Sequence, residues 1–281
     1  MTALLCETVT GRTTAELVTA RDAVADADMV ELRLDGIADP DVERALQGRR
    51  LPVIVTCRPD WEGGRFAGSE GERRRLLEQA VALGAEYIDV EWAARFDDLI
   101  ARHAARVVVS MHDFAGSPPD LGERTRAMRG TGAGVIKVAV TVRRLVETLL
   151  LQGIAGEGPA IVIGMGDAGL PTRLLASRFG SRWTYAGRGV APGQIPASRM
   201  VHEYRFRRIG PDTSIYGVTG PGVLESSLPR ALNAAFEAAG RDAVAIPLPG
   251  ADESDVEAFA GAFALSGVID HTRETNAHHV I

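Results

Sequence analysis

The 281-residue sequence predicts a (β/α)8 barrel, the TIM-barrel class, with a small C-terminal βαβα appendage. Three observations lead there. Eight short apolar, β-branched runs recur through the first two hundred residues, as strands buried on both faces require. Helix-like stretches of crossover length separate them, and eight strand–helix units in series most simply close on themselves. No glycine-rich phosphate loop follows the first run, where Thr8-Val9-Thr10-Gly11-Arg12-Thr13 stands, which argues against an open doubly wound sheet.

Taken in order, the expected strands are 3–6, 29–34, 51–57, 86–91, 107–111, 134–140, 160–165 and 183–186, with helices such as 72–83, 142–153 and 171–179 between them. Near Ile209-Gly210-Pro211-Asp212 the pattern breaks and restarts. A strand over 214–219 precedes Gly220-Pro221-Gly222, then come a helix over 228–239, a strand over 243–248 and a helix over 253–264. Residues 1–209 are therefore read as the barrel and 210–281 as the appendage. At roughly 70 residues the second piece is small for an independent core and is expected to lean on a partner surface.

Composition narrows the function classes. The chain is 46% hydrophobic and 24% charged, ordinary for a soluble globular protein. Its net charge of −6 gives no reason to expect nucleic acid or an anionic membrane as a partner. An anionic small molecule would have to be met by local arginines. The two cysteines, Cys6 and Cys57, lie in apolar runs and make no disulfide framework, so a reducing, cytoplasmic setting is expected. The N-terminus lacks the basic region of a signal peptide, and no apolar stretch nears the ~20 residues that span a bilayer.

Polar residues gather at the same end of successive runs, where a barrel places its chemistry. Glu31 and Arg33, two apart, share one side of the second strand. Arg58 follows the third run, and Glu91, His112 and Lys137 close the fourth, fifth and sixth. Met165 ends the seventh, with Arg173 in the helix beyond, and a Gly/Pro-rich loop through Gln194, suited to a mobile lid, follows the eighth. An amine in an apolar barrel mouth can attack a carbonyl to form an imine. An imidazole beside it is the natural acid/base, and a carboxylate can orient that imidazole.

These residues resemble the type I 3-dehydroquinate dehydratases. The segments that carry the likeness are Glu31-Leu32-Arg33-Leu34-Asp35, Thr56-Cys57-Arg58 before Glu62-Gly63-Gly64, and Tyr87-Ile88-Asp89-Val90-Glu91. Ser110-Met111-His112-Asp113-Phe114, Ile136-Lys137-Val138-Ala139, Met165-Gly166, Arg173 and Ala191-Pro192-Gly193-Gln194 continue it. The resemblance implies that Lys137 forms an imine with the C3 ketone of 3-dehydroquinate while His112, oriented by Glu91, moves the C2 proton to the departing C1 hydroxyl. Arg173 would take the substrate carboxylate, Glu31, Arg33, Arg58 and Gln194 its hydroxyls, and Met165 would pack against the ring. Neither a metal nor a dissociable cofactor is implied. Val190 stands where the family usually has a lid serine. The segment from Ile215 through Phe236 resembles the start of shikimate dehydrogenase, with Ser226 at the first position of its Ser-x-Ser pair and Leu228 at the second. The chain is therefore read as a dehydratase with a truncated, inactive dehydrogenase remnant serving to stabilise or dimerise it. A non-catalytic sensor of the same metabolites and a Schiff-base aldolase are the rival readings.

Overall fold

Eight parallel strands form the centre of the molecule: β1 (Leu4–Val9), β2 (Met29–Arg33), β3 (Val53–Thr56), β4 (Tyr87–Glu91), β5 (Val107–Asp113), β6 (Val135–Thr141), β7 (Ala160–Met165) and β8 (Trp183–Ala186). The structure is a computed structural model that describes residues 2–187, 189 and 193–273. Val190 lies outside the described residues. The strand order is β7-β6-β5-β4-β3-β2-β1-β8, so each strand lies beside its sequence neighbour, and only β7 and β8 meet without a regular ladder. Single bonds bridge that seam: Arg182 N–H donates to Ala160 O at 2.9 Å, and Val162 N–H to Ser181 Oγ at 3.0 Å. The result is a nearly closed (β/α)8 barrel.

The helices that return each strand to the barrel's lower rim are α1 (Thr14–Asp22), α2 (Val42–Leu46), α3 (Glu70–Ala82), α4 (Asp97–His103), α5 (Leu121–Gly130), α6 (Thr148–Gly156), α7 (Leu170–Leu174) and α8 (Ala197–His202). Local chemistry sets their starts. Ser69 and Glu72 form a reciprocal capping box on α3, and Thr13 caps α1. The expected helix over 142–153 begins late because Val142 N–H donates to Met165 O at 3.0 Å, which holds it extended alongside β7. The expected helix over 171–179 stops at Leu174. Beyond it Leu175, Ala176 and Phe179 are buried by turns, so their apolar spacing came from core packing rather than from a helix.

Alternation along each strand divides the core in two. Cys6, Met29, Ile54, Val108, Val135, Ile161 and Trp183 point inward and make an apolar floor, with the Tyr87 ring 5.1 Å from Trp183. The opposite faces pack against the helices. Within the barrel, the polar side chains begin one layer above the floor.

After the barrel come β9 (Ser214–Thr219), α9 (Leu228–Ala238), β10 (Ala243–Pro247), α10 (Glu253–Ala262) and β11 (Gly267–Asp270), an all-parallel sheet ordered β10-β9-β11. The expected βαβα unit thus gains a third strand. Of its four residues only Ile269 is buried, so β11 leaves no apolar run in the sequence. The surface that this unit leans on is the barrel of the same chain. Ile215, Val244, Ile246, Phe259 and Phe263 join the core that lines the outside of the barrel, and Phe263 lies 4.8 Å from Phe179. Buried Asn233 ties the two together, donating to Glu203 O and Ala245 O, both at 2.8 Å.

Candidate active site

Inward positions above the apolar floor carry the candidate site. Glu31 and Arg33 on β2, Thr56 and then Arg58 past β3, Asp89 and Glu91 on β4, Ser110 and His112 on β5, and Lys137 on β6 follow the two-residue period of their strands. Lys137 does not end its strand, as the sequence suggested. It is the third of seven residues in β6 and pairs in register with Ser110, while His112 lies one inward position higher, opposite Ala139. The amine therefore sits deep in the barrel and the imidazole nearer the mouth.

The surroundings of Lys137 are charged rather than apolar. Its Nζ lies 3.2 Å from Asp89 and 3.6 Å from Glu31, with the face of Tyr185 4.1 Å away. Each carboxylate is in turn held: Glu31 accepts from Thr8 and Thr56 at 2.9 Å, and Asp89 accepts from Ser110 at 2.5 Å and pairs with Arg58 at 2.9 Å. Arg58 and then Lys137 hold Asp89 well below the usual carboxylate range against the opposing cost of burial. Fixed carboxylates on two sides and an aromatic face orient the amine without occupying it covalently.

Glu91 does not touch His112, a correction to the expected pairing. Its carboxylate is buried between two guanidiniums, Arg58 at 2.6 Å and Arg73 in close contact. The carboxylate on the imidazole belongs to Glu62, whose Oε1 lies 2.9 Å from Nδ1 and accepts the His112 backbone N–H at 3.0 Å. Since Oε1 already accepts the backbone N–H, the consistent tautomer has Nδ1 donating to the same oxygen, which leaves Nε2 with its lone pair. A one-turn helix Asp60–Glu62 delivers Glu62, and left-handed Gly63 (φ 76°) ends that turn against the Phe114 ring, where a Cβ would collide. Arg33 forks onto Asp35 at 2.7 and 2.8 Å rather than pairing with Glu31.

Burial first, and Arg58 and Lys137 after it, push His112 well below its ordinary value, so the imidazole is neutral at physiological pH. Burial pushes Glu62 up to about 8, although Arg58 opposes it. The stability consequence has a definite sign. A carboxyl raised above its unfolded value favours the fold at low pH and loses that contribution as pH climbs through about 8. Glu62→Gln, which cannot ionise, should therefore be more stable than wild type at pH 9 by roughly 2–4 kcal/mol, a gap that closes toward pH 5. Urea unfolding at the two pH values measures it; a constant offset at both would contradict the raised carboxyl.

One cleft of about 590 Å³, mouth included, brings together Glu31, Arg33, Arg58, His112, Lys137, Met165, Arg173 and Gln194. Of the residues singled out from sequence, only Glu91 lies outside this lining. Glu62, Phe114 and Tyr185 join it without having been assigned a role. Arg173 is fully buried, and burial alone lowers it to about 10, a cost that an anionic group in the cleft would offset. Gln194 reaches in from the loop after β8 and donates to Thr8 Oγ1 at 3.4 Å. Asp89 was legible by parity, since it shares a face with Glu91. Glu62 was not, because its turn has no strand or helix period.

Comparison with known proteins matches the barrel to one family. The family model for type I 3-dehydroquinase covers residues 5–211. A 3-dehydroquinate dehydratase of Methanothermobacter thermautotrophicus is 35% identical over 206 residues, 69% of this chain and 93% of the relative. The chloroplastic bifunctional 3-dehydroquinate dehydratase/shikimate dehydrogenase of Arabidopsis thaliana is 35% identical over 253 residues, 83% of this chain but 42% of that protein. The crystal structure of the 3-dehydroquinate dehydratase from Geobacillus kaustophilus superposes with a TM-score of 0.62 at 30% identity, covering 70% of this chain and 88% of that one. A deep lysine, a neutral imidazole above it and a buried arginine in one barrel cleft thus accompany the family's sequence pattern, and the chain belongs to the type I 3-dehydroquinases, a family of hydro-lyases.

Proposed function

We propose that this protein removes water from 3-dehydroquinate to give 3-dehydroshikimate through an imine on Lys137. The observation that carries the reading is the placement of an amine, an imidazole and a buried guanidinium along one cleft. Arg173 takes the substrate carboxylate, and Glu31, Arg33, Arg58 and Gln194 meet its hydroxyls. Neutral Lys137 Nζ adds to the C3 carbonyl carbon to give a carbinolamine, whose oxygen then leaves as water with one proton from nitrogen and one from the medium. The protonated imine left behind is flanked by Asp89 and Glu31, whose charges favour that cation. The imine draws electrons from the adjacent C–H bond. His112 Nε2 takes the C2 proton, the electron pair moves into the imine, and its return expels the C1 hydroxyl with the proton from His112. Hydrolysis of the imine frees the product and restores the amine.

The reading extends to the appendage. The Arabidopsis match covers 83% of this chain, so it runs past the barrel into residues that resemble the start of shikimate dehydrogenase. Leu228 in place of a substrate-binding serine supports the inference that this chain does not reduce 3-dehydroshikimate. One ultraviolet assay tests both parts. The conjugated enone of the product should accumulate from 3-dehydroquinate, and adding NADPH should not consume it. Failure of the enone to appear at saturating substrate overturns the dehydratase reading; steady NADPH oxidation overturns the second.

A further inference from the structure

We infer that Asp255, in the appendage, is a positioning residue for the barrel's active site, acting through the loop that follows the lysine-bearing strand. Asp255 is fully buried, on α10, 110 and 109 residues from its two partners in the barrel. Its Oδ2 accepts the N–H of Leu145 at 2.9 Å and its Oδ1 that of Val146 at 3.1 Å, while Ala251 N–H closes on Oδ2 at 3.1 Å. Leu145 and Val146 begin the one-turn helix Leu145–Glu147 that runs into α6, so two of the orphan donors of that helix start are capped by a carboxylate from outside the barrel. Arg144 completes the contact from 3.6 Å.

From this anchored loop, two bonds reach the cleft lining. Arg143 Nη2 donates to Ala115 O at 3.1 Å, fixing the turn after His112 and Phe114. Val142 N–H donates to Met165 O at 3.0 Å, fixing the end of β7. Phe114 and Met165 both line the cleft. The appendage thus braces two segments of the cleft lining through one loop, while Asp255 itself lies outside that lining, a role that rests on the dehydratase reading for its kinetic expression.

The test uses the full chain and four variants: Asp255→Ala, Arg143→Ala, their double, and Phe263→Leu, which loosens the appendage's aromatic packing but leaves the cap. Asp255→Ala and exposed Arg143→Ala should each raise KM about five- to tenfold with kcat within about twofold, and the double should be no worse than the poorer single. Phe263→Leu should lower Tm and leave KM unchanged. Should Asp255→Ala not fold, an unchanged KM in Arg143→Ala overturns the inference alone. Independent additive effects, or a KM that tracks Tm in Phe263→Leu, also overturn it. Amide exchange gives a reading apart from turnover. Residues 113–117 should exchange faster in Asp255→Ala or Arg143→Ala even if 3-dehydroquinate proves not to be the substrate, and unchanged exchange there contradicts the coupling.

Discussion

Lys137→Ala should abolish the formation of 3-dehydroshikimate, with turnover below roughly 10⁻⁴ of wild type, because the sequence holds no other lysine and the electron sink is lost with it. The same change strips Glu31 of the cation 3.6 Å away and Asp89 of the one at 3.2 Å, while Arg58 stays on Asp89 at 2.9 Å. Leaving a buried charge without its partner costs on the order of 3–5 kcal/mol, so the variant should also melt lower. Lys137→Arg separates the two effects. A guanidinium restores the cation but is a poor nucleophile, so Tm should recover toward wild type while activity stays absent. Recovery of both in Lys137→Arg would show that the lysine serves as a charge rather than as a nucleophile.

His112→Ala should lower kcat by roughly 10²–10⁴, the span of one positioned acid/base group. The pH profile makes the sharper statement. The base must be neutral to accept the C2 proton, and burial with Arg58 and Lys137 holds the imidazole well below its ordinary 6.5. The acid limb of kcat/KM should therefore fall clearly below pH 6.5, and the rate should stay level through neutrality. An acid limb centred at or above 6.5 would mean that His112 titrates as an exposed imidazole and that the described contacts are not those of the working enzyme. Glu62→Gln keeps the acceptor for Nδ1 and should cost far less than His112→Ala. Glu91→Gln should act instead on Arg58 and Arg73, the groups it touches.

Periodicity made much of this molecule legible. The eight runs of β-branched residues announced the strands, and two-residue spacing put Glu31 with Arg33 on one face. The same rule, applied to β4, joins Asp89 to Glu91 and would have supplied the partner of Lys137. Where periodicity was absent, sequence could not speak. Glu62 comes from a single turn locked by a left-handed glycine, and its role depends on a contact across 50 residues. Lys137 stands third in β6 rather than at its end, so within the expected strand 134–140 its depth followed from counting residues beyond it, not from any change of pattern. The cap from Asp255 is invisible for the simplest reason: a carboxylate with three backbone donors has no local signature when two of them lie 110 and 109 residues away.

The fold also explains why charge could replace the expected apolar setting. In a barrel closed below by Trp183, Ile161 and Val135, water is displaced from beneath the lysine, yet each carboxylate nearby keeps a hydroxyl or guanidinium partner. Such a layer is preorganised for the protonated imine, so little needs to move once that cation has formed.

The most direct measurement is borohydride reduction of the full chain in the presence of 3-dehydroquinate, followed by peptide mass spectrometry. A stable adduct confined to the peptide that contains Lys137, formed in step with loss of activity and absent without substrate, is the predicted result. An enzyme that turns over 3-dehydroquinate yet yields no adduct on Lys137 would contradict the imine and, with it, the central role given to that lysine.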